Sequence, residues 1–162
     1  MGASRQIEIT VRTASQPAIL GRLMATSVSC GSEVLAACSY WDGAATVVRL
    51  VTQDAQRTAN ALRAAGFECK SNPIVLVEIP DKPGLTAAIG ARLTGAGIGI
   101  LYSYSLQSEG GRTRAVFKTT DDDRAIYMLE VDALIHDLAA AKTWRPVSQA
   151  LVEKHRFEPE AA

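Results

Sequence analysis

Apolar residues in the first 72 positions of the chain follow two periods, one of two residues and one of three to four. Ile7, Ile9 and Val11 alternate with polar residues, which is typical of a half-buried strand, and the next apolar run has helical spacing. Asp42-Gly43 between two β-rich runs is a strong hairpin signal. The predicted elements are a strand at 6–12, a helix at 17–29, strands at 33–40 and 44–52, a helix at 55–65 and a strand at 67–71. Their order is βαββαβ.

The same order of elements begins again near residue 74. Superimposing Pro83 on Pro17 aligns Gly97 with Gly31 without a gap, and a repeat of this length usually reflects duplicated domains. The predicted elements are a strand at 74–79, a helix at 85–95, strands at 98–106 and 113–119, and a helix that starts near Arg124 and extends toward residue 141. A fourth strand would have to come from 143–149, and 151–157 is predicted to be a short tail helix. We therefore predict domains at 1–72 and 73–142 and a helical C-terminal tail at 143–162.

The loop Asp81-Lys82-Pro83-Gly84 connects the first strand and first helix of this second unit. Free N–H groups and the positive end of the helix dipole suit a carboxylate or another small anion at such a helix start. Glycine there lets a ligand approach the backbone closely. A carboxylate is therefore expected on the N–H groups of Gly84, Leu85 and Thr86, with Asp81 as the nearest acceptor for an ammonium group. The corresponding loop of the first unit, Ser15-Gln16-Pro17-Ala18, has neither the acidic residue nor the glycine.

Composition argues against several classes of partner. Seventeen basic and seventeen acidic side chains cancel and form no basic stripe, so nucleic acid is not expected to bind. No apolar run approaches the ~20 residues of a membrane span, and the first five residues lack the apolar core of a secretion signal. The three cysteines form no C-x-x-C pair and leave an odd thiol, which predicts a reducing compartment and no zinc site. We expect a cytoplasmic protein without a membrane partner.

Residues 6–130 resemble the ACT domain family, and in particular its stand-alone tandem members. The resemblance depends on the βαββαβ order, on Asp81-Lys82-Pro83-Gly84-Leu85, and on Gly97-Ile98-Gly99-Ile100 at the start of a strand. It implies an α+β fold of two ferredoxin-like units with antiparallel sheets that pair side by side. It also implies a regulatory role, with an amino acid or other small ligand between the first loop of one domain and the second strand of its neighbour. Where that strand often carries Asn in the family, this chain has Glu33 in the first unit, which could receive an α-amino group, and Gly99 in the second.

The reactive side chains do not support an enzyme. His136 and His155 have no Ser, Cys or Asp at a spacing that indicates a triad. Gly95-x-Gly97-x-Gly99 follows a helix and enters a strand, which is the reverse of a dinucleotide fingerprint. The related acylphosphatase-like hydrolases need an Arg in the first loop, where this chain has Lys82. We expect no catalytic residue, no cofactor and no metal, and an acylphosphatase-like hydrolase is a remote alternative.

The sequence therefore predicts a non-enzymatic sensor of an amino acid or small carboxylate that regulates a separate protein chain. Its candidate ligand-binding residues are Asp81, Lys82, Pro83, Gly84, Leu85 and Thr86, with Glu33 as an outside candidate. A structural interaction module without a ligand is the alternative, because residues 74–77 are apolar on both faces and Tyr102 and Tyr104 share one face of a strand. Open sheet edges invite pairing, and the second apolar face of strand 74–79 needs cover, so a homodimer or larger assembly is expected.

Overall fold

A computed structural model describes residues 2–14, 18–108 and 110–136, with residues 108 and 132–136 described by their backbone alone. The elements are β1 (Gly2–Thr13), α1 (Ile19–Ser29), β2 (Val34–Trp41), β3 (Thr46–Thr52), α2 (Ala55–Ala64), β4 (Cys69–Pro80), α3 (Leu85–Gly95), β5 (Ile100–Ser108), β6 (Arg112–Thr119) and α4 (Asp122–His136). The predicted α+β class and antiparallel strand pairing are confirmed. The predicted tail helix and the candidate fourth strand at 143–149 lie outside the described residues.

The strands form one antiparallel sheet in the order β2-β3-β1-β4-β6-β5. Its centre is the pairing of the two longest strands, β1 and β4, from Gly2 opposite Glu78 to Val11 opposite Cys69. β4 joins the predicted strands 67–71 and 74–79 into one. The predicted domain boundary after residue 72 therefore falls inside a continuous strand, and the division of the chain into two domains stays a prediction.

The first half of β1 lies where the second unit would need its own fourth strand. Ala3 pairs with Val77 and Arg5 with Val75, and Ala3 belongs to the core that α3 and α4 cover. Helix α4 contacts β1, and Arg5 forms an ion pair with Asp123 on that helix. Residues ahead of the strand predicted to start at position 6 therefore help to build the second half of the sheet.

Helices cover one face of the sheet in two places. Under α1 and α2, a core forms around Ile9, Leu23, Leu50 and Leu62. Under α3 and α4, a second core forms around buried side chains from β4, β6 and both helices, namely Val75, Val77, Ile89, Leu93, Phe117 and Leu129. Each core follows directly from the alternation along the strands and the helical spacing in the sequence.

The helix-free face folds onto itself. β2 and β5 stand at opposite ends of the strand order, yet β2 contacts both β5 and β6, so the sheet curves strongly. A third core of Ala36, Val51, Ile74, Leu76 and Val116 fills the concave face. The second apolar face of strand 74–79, expected to need cover from another copy, is therefore covered within the chain. The expectation of an oligomer now depends on the sheet edges alone.

Candidate functional site

The predicted loop ends at a glycine in the left-handed backbone region. Gly84 has φ 80° and ψ −8° and is the N-cap of α3. Ala18, aligned with it in the first unit, has φ 58° and ψ 20° at the N-cap of α1. The two helices thus begin from the same kind of backbone conformation, although only one has the glycine for which that conformation is free of steric cost.

The backbone hydrogen bonds at the start of α3 use only some of its N–H groups. The Leu85 N–H donates to the carbonyl of Lys82 at 3.2 Å, and the Gly84 carbonyl accepts from Ala88 at 2.9 Å. Within the described part of the chain, the N–H groups of Gly84 and Thr86 have no protein acceptor. Of the three donors expected to hold a carboxylate, Gly84 and Thr86 are therefore available, and Leu85 already closes a tight turn.

Asp81 ties this loop to the β5–β6 hairpin. Its Oδ1 accepts from Thr113 Oγ1 at 3.0 Å, its Oδ2 accepts from the side-chain amide of Gln107, and its N–H donates to the carbonyl of Gly111 at 2.8 Å. Asp81 is exposed, and each carboxylate oxygen has room for one further donor. Its position is thus fixed by the hairpin while its acceptor capacity is only partly used. Lys82 and Pro83 are exposed beside it.

Glu33 lies away from this loop. Its carboxylate accepts from Arg114 Nη1 at 2.9 Å, and the same guanidinium donates from Nε to Glu78 at 2.8 Å. Since Ala115 packs under α3 and α4, its neighbour Arg114 points to the opposite face of the sheet. The structure therefore places Glu33 and the start of α3 on opposite faces, and it does not join them in one pocket of a single chain.

The structure also reveals a buried acid that the sequence analysis did not single out. The side chain of Glu8 has 0% solvent exposure on the concave face. Its Oε1 accepts from Arg49 Nη1 at 2.6 Å, Tyr102 Oη at 2.8 Å and Thr10 Oγ1 at 3.2 Å, and its Oε2 accepts from Tyr104 Oη at 2.9 Å. We call these five residues the Glu8 cluster. It joins β1 and β3 to β5 across the fold of the sheet.

Arg49 supplies the positive charge that balances the carboxylate of Glu8 in the Glu8 cluster. Its guanidinium carbon lies 3.9 Å from the ring centroid of Tyr102, and its Nη2 and Nε donate to Tyr40 Oη at 3.1 and 3.3 Å. Burial and the adjacent carboxylate of Glu8 raise the pKa of both Tyr102 and Tyr104 above the usual value for tyrosine. Both phenols therefore stay protonated and act as donors near neutral pH.

Sequence signals for the Glu8 cluster are weak. Glu8 stands between Ile7 and Ile9, so simple alternation assigns it to a solvent-exposed face. Tyr102 and Tyr104 share one face of a strand, a pattern that indicates packing within the sheet more often than stacking on a ligand. Their hydroxyl bonds to Glu8, formed across more than 90 residues of sequence, agree with a packing role.

The described residues contain neither a membrane-spanning helix nor a cluster of metal-binding side chains. None of their helices is long and apolar enough to cross a membrane. No group of three or more His, Cys, Asp or Glu side chains in that part of the chain is placed to hold a metal ion.

Comparison with known proteins identifies the fold as one found in regulatory subunits. No protein-family model and no curated protein sequence matches the chain. A solved protein from Bacteroides thetaiotaomicron is similar over 81% of this chain and 90% of its own, with a TM-score of 0.69 and 18% identity. The regulatory subunit of aspartate kinase from Thermus thermophilus is similar over 80% of this chain and 95% of its own, with a TM-score of 0.58 and 15% identity. At these identities the likeness shows the fold alone, and it agrees with the fold that the resemblance to ACT domains implies.

Proposed function

We propose that this chain is a non-enzymatic regulatory protein that binds an amino acid or other small carboxylate and acts on a separate protein chain. The observation that carries the proposal is the start of α3, where Gly84 and Thr86 offer N–H groups at the positive end of the helix dipole. The fold gives support, because solved structures described as regulatory subunits of aspartate kinase share it over most of their length.

In this proposal each residue of the loop has a distinct role. The ligand carboxylate lies on the N–H groups of Gly84 and Thr86, beside Leu85. Asp81, fixed by Gln107 and Thr113, accepts from the ligand's ammonium group. Lys82 and Pro83 form the exposed rim, where Lys82 adds a positive charge and Pro83 restricts the backbone.

Glu33 is the outside candidate for the ammonium group. Its carboxylate is bound to Arg114 on the other face of the sheet, so within one chain it does not reach the loop. It would contribute only from a second copy, in the homodimer or larger assembly that we propose on the basis of the open edges of β2 and β5.

Calorimetry on the full chain tests this site. The twenty amino acids are titrated first, and the best ligand is then titrated into Asp81→Asn. Because a hydrogen bond to a charged partner contributes ~1.5–3 kcal/mol, binding should weaken by roughly 10- to 150-fold. Glu33→Gln is measured separately, and Asp123→Asn, an exposed acid on α4, is the matched control. If Asp81→Asn and Glu33→Gln each change the affinity by less than threefold, the ligand does not bind at this loop.

A structural interaction module without a ligand is the second candidate. It is favoured by the exposure of Trp41 on β2 and Leu101 on β5, which are 57% and 62% exposed on the two edge strands. An interface through those edges should be weakened by Trp41→Ala without any change in ligand response. Absence of a thermal shift with all twenty amino acids, together with loss of self-association in Trp41→Ala, would favour this candidate over the sensor.

A further inference from the structure

A cleft of about 340 Å³ opens on the helix-free face, next to the Glu8 cluster. Thr10 and Arg49 of that cluster line the cleft together with Tyr40 and Val47. Lys70 on β4 also lines it. Since Lys70 and Pro80 are ten residues apart on one strand at about 3.3 Å per residue, the cleft lies on the order of 30 Å from the loop that precedes α3. It is a separate place on the molecule.

Two of the cations that line the cleft already have partners. Arg12 donates to Asp42, with one of its contacts at 3.3 Å, and Arg49 pairs with Glu8 at 2.6 Å. Both guanidinium groups therefore have a carboxylate partner within the chain before any ligand binds.

Lys70 and Glu68 differ from the two arginines because they have no ion-pair partner among the described side chains. They lie on the same side of the chain, two residues apart, and both are exposed at the cleft. Neither forms an ion pair with any side chain that the structure describes. The cleft thus presents one positive and one negative group that do not pair with each other.

We propose that this cleft is a binding site for a small zwitterion that carries one carboxylate and one amine, as an α-amino acid does. The carboxylate binds Lys70 Nζ, the ammonium group binds Glu68, and the rest of the molecule packs on Val47 and the ring of Tyr40. A simple anion such as phosphate fits less well, because the carboxylates of Glu68 and Asp42 stand beside the cations of the same cleft, so that only part of the lining is complementary to it.

Amide NMR spectra of the labelled full chain test this site directly. Each of the twenty amino acids, and inorganic phosphate as the anion probe, is titrated to about 10 mM, tenfold above a 1 mM dissociation constant. At least one amino acid should shift the amides of Thr10, Val47 and Lys70 in a saturable manner. Phosphate should leave them unchanged.

Charge-deletion variants at the surface identify the groups involved. Lys70→Gln and Glu68→Gln should each weaken binding at the cleft at least tenfold, whereas Arg57→Gln on α2 should leave it unchanged as the matched control. Lys82→Gln changes only the loop before α3, so its effect separates that site from the cleft.

Three results would overturn the proposal. The first is that no amino acid shifts the cleft amides at the highest concentration. The second is that Lys70→Gln keeps an affinity within threefold of the unmodified chain. The third is that phosphate binds and Glu68→Gln strengthens it, which would identify a simple anion site.

Discussion

Replacing Glu8 with Gln should destabilise this protein more than any comparable change at an exposed acid. Glu8 is fully buried, and its partner Arg49 has a side chain only 16% exposed. In Glu8→Gln the guanidinium keeps its charge but loses its counter-ion. Breaking a buried pair in this way costs about 3–5 kcal/mol, and because the amide retains some hydrogen bonding to the tyrosines we expect about 3 kcal/mol.

The control is Glu78→Gln, because Glu78 also pairs with an arginine but is 41% exposed. An exposed pair contributes about 0–1 kcal/mol, so this variant should unfold almost as the unmodified chain does. The double variant Glu8→Gln/Arg49→Gln should cost less than the sum of its single changes, because it leaves no lone buried charge.

Urea unfolding measured by circular dichroism gives the free energy of unfolding for these three variants, for the single change Arg49→Gln and for the unmodified chain. For a chain of this size, 1 kcal/mol corresponds to roughly 2–4 °C in Tm, so Glu8→Gln should melt about 6–12 °C below the unmodified protein. Equal stability of Glu8→Gln and Glu78→Gln would refute the reasoning. It would mean that water reaches the Glu8 cluster or that the two halves of the sheet separate easily.

Three further predictions concern the backbone, pH and assembly. Ala18 and Gly84 both have a left-handed backbone conformation, which favours glycine. Ala18→Gly should therefore stabilise the chain by about 0.5–1 kcal/mol, and Gly84→Ala should destabilise it by about 1 kcal/mol. Opposite signs in denaturant unfolding would contradict this. Because the pKa of Tyr102 and Tyr104 is raised in the folded chain, the unfolded chain loses these protons first as the pH rises. The free energy of unfolding should therefore be unaffected below about pH 10 and fall above it. In alkaline unfolding, the variant with both tyrosines changed to Phe should show a shallower fall. Light scattering at tens of micromolar should give a mass above the 17.2 kDa of one chain, and a monomer would count against pairing through the sheet edges.

Local chemistry allowed much of the fold to be predicted from the sequence. The Asp42-Gly43 hairpin forms because the Asp42 carboxylate accepts from the N–H groups of Ala44 and Ala45 at 3.1 and 2.9 Å. Asp54 caps α2 by accepting from the Arg57 N–H at 2.9 Å. Such bonds connect residues two or three positions apart, so the residue types and their spacing are enough to locate them.

The longer-range features could not be predicted in the same way. β1 begins at Gly2 because its first residues pair with β4, and nothing in Gly2 to Arg5 shows a strand pattern by itself. The predicted strands 67–71 and 74–79 are joined into β4 because β1 pairs with β4 without a break from Cys69 to Glu78. Both differences come from pairing between segments about 70 residues apart, which local propensity does not contain.

The contrast between the two polar sites has the same origin. The start of α3 is defined by a loop of four residues, so its glycine and its donors can be located by sequence reasoning alone. In the Glu8 cluster, Tyr104 lies on β5 and pairs with Val116 on β6, and β6 is itself two strands away from β1 in the sheet. The Tyr104 hydroxyl reaches Glu8 on β1 only because the sheet folds over its helix-free face. Curvature of this kind depends on all six strands at once. A ligand that changed the angle between the two halves of the sheet would have to break these buried hydrogen bonds. Since Glu8→Gln weakens them, a comparison of ligand binding by this variant and by the unmodified chain should also show whether the halves move when a ligand binds.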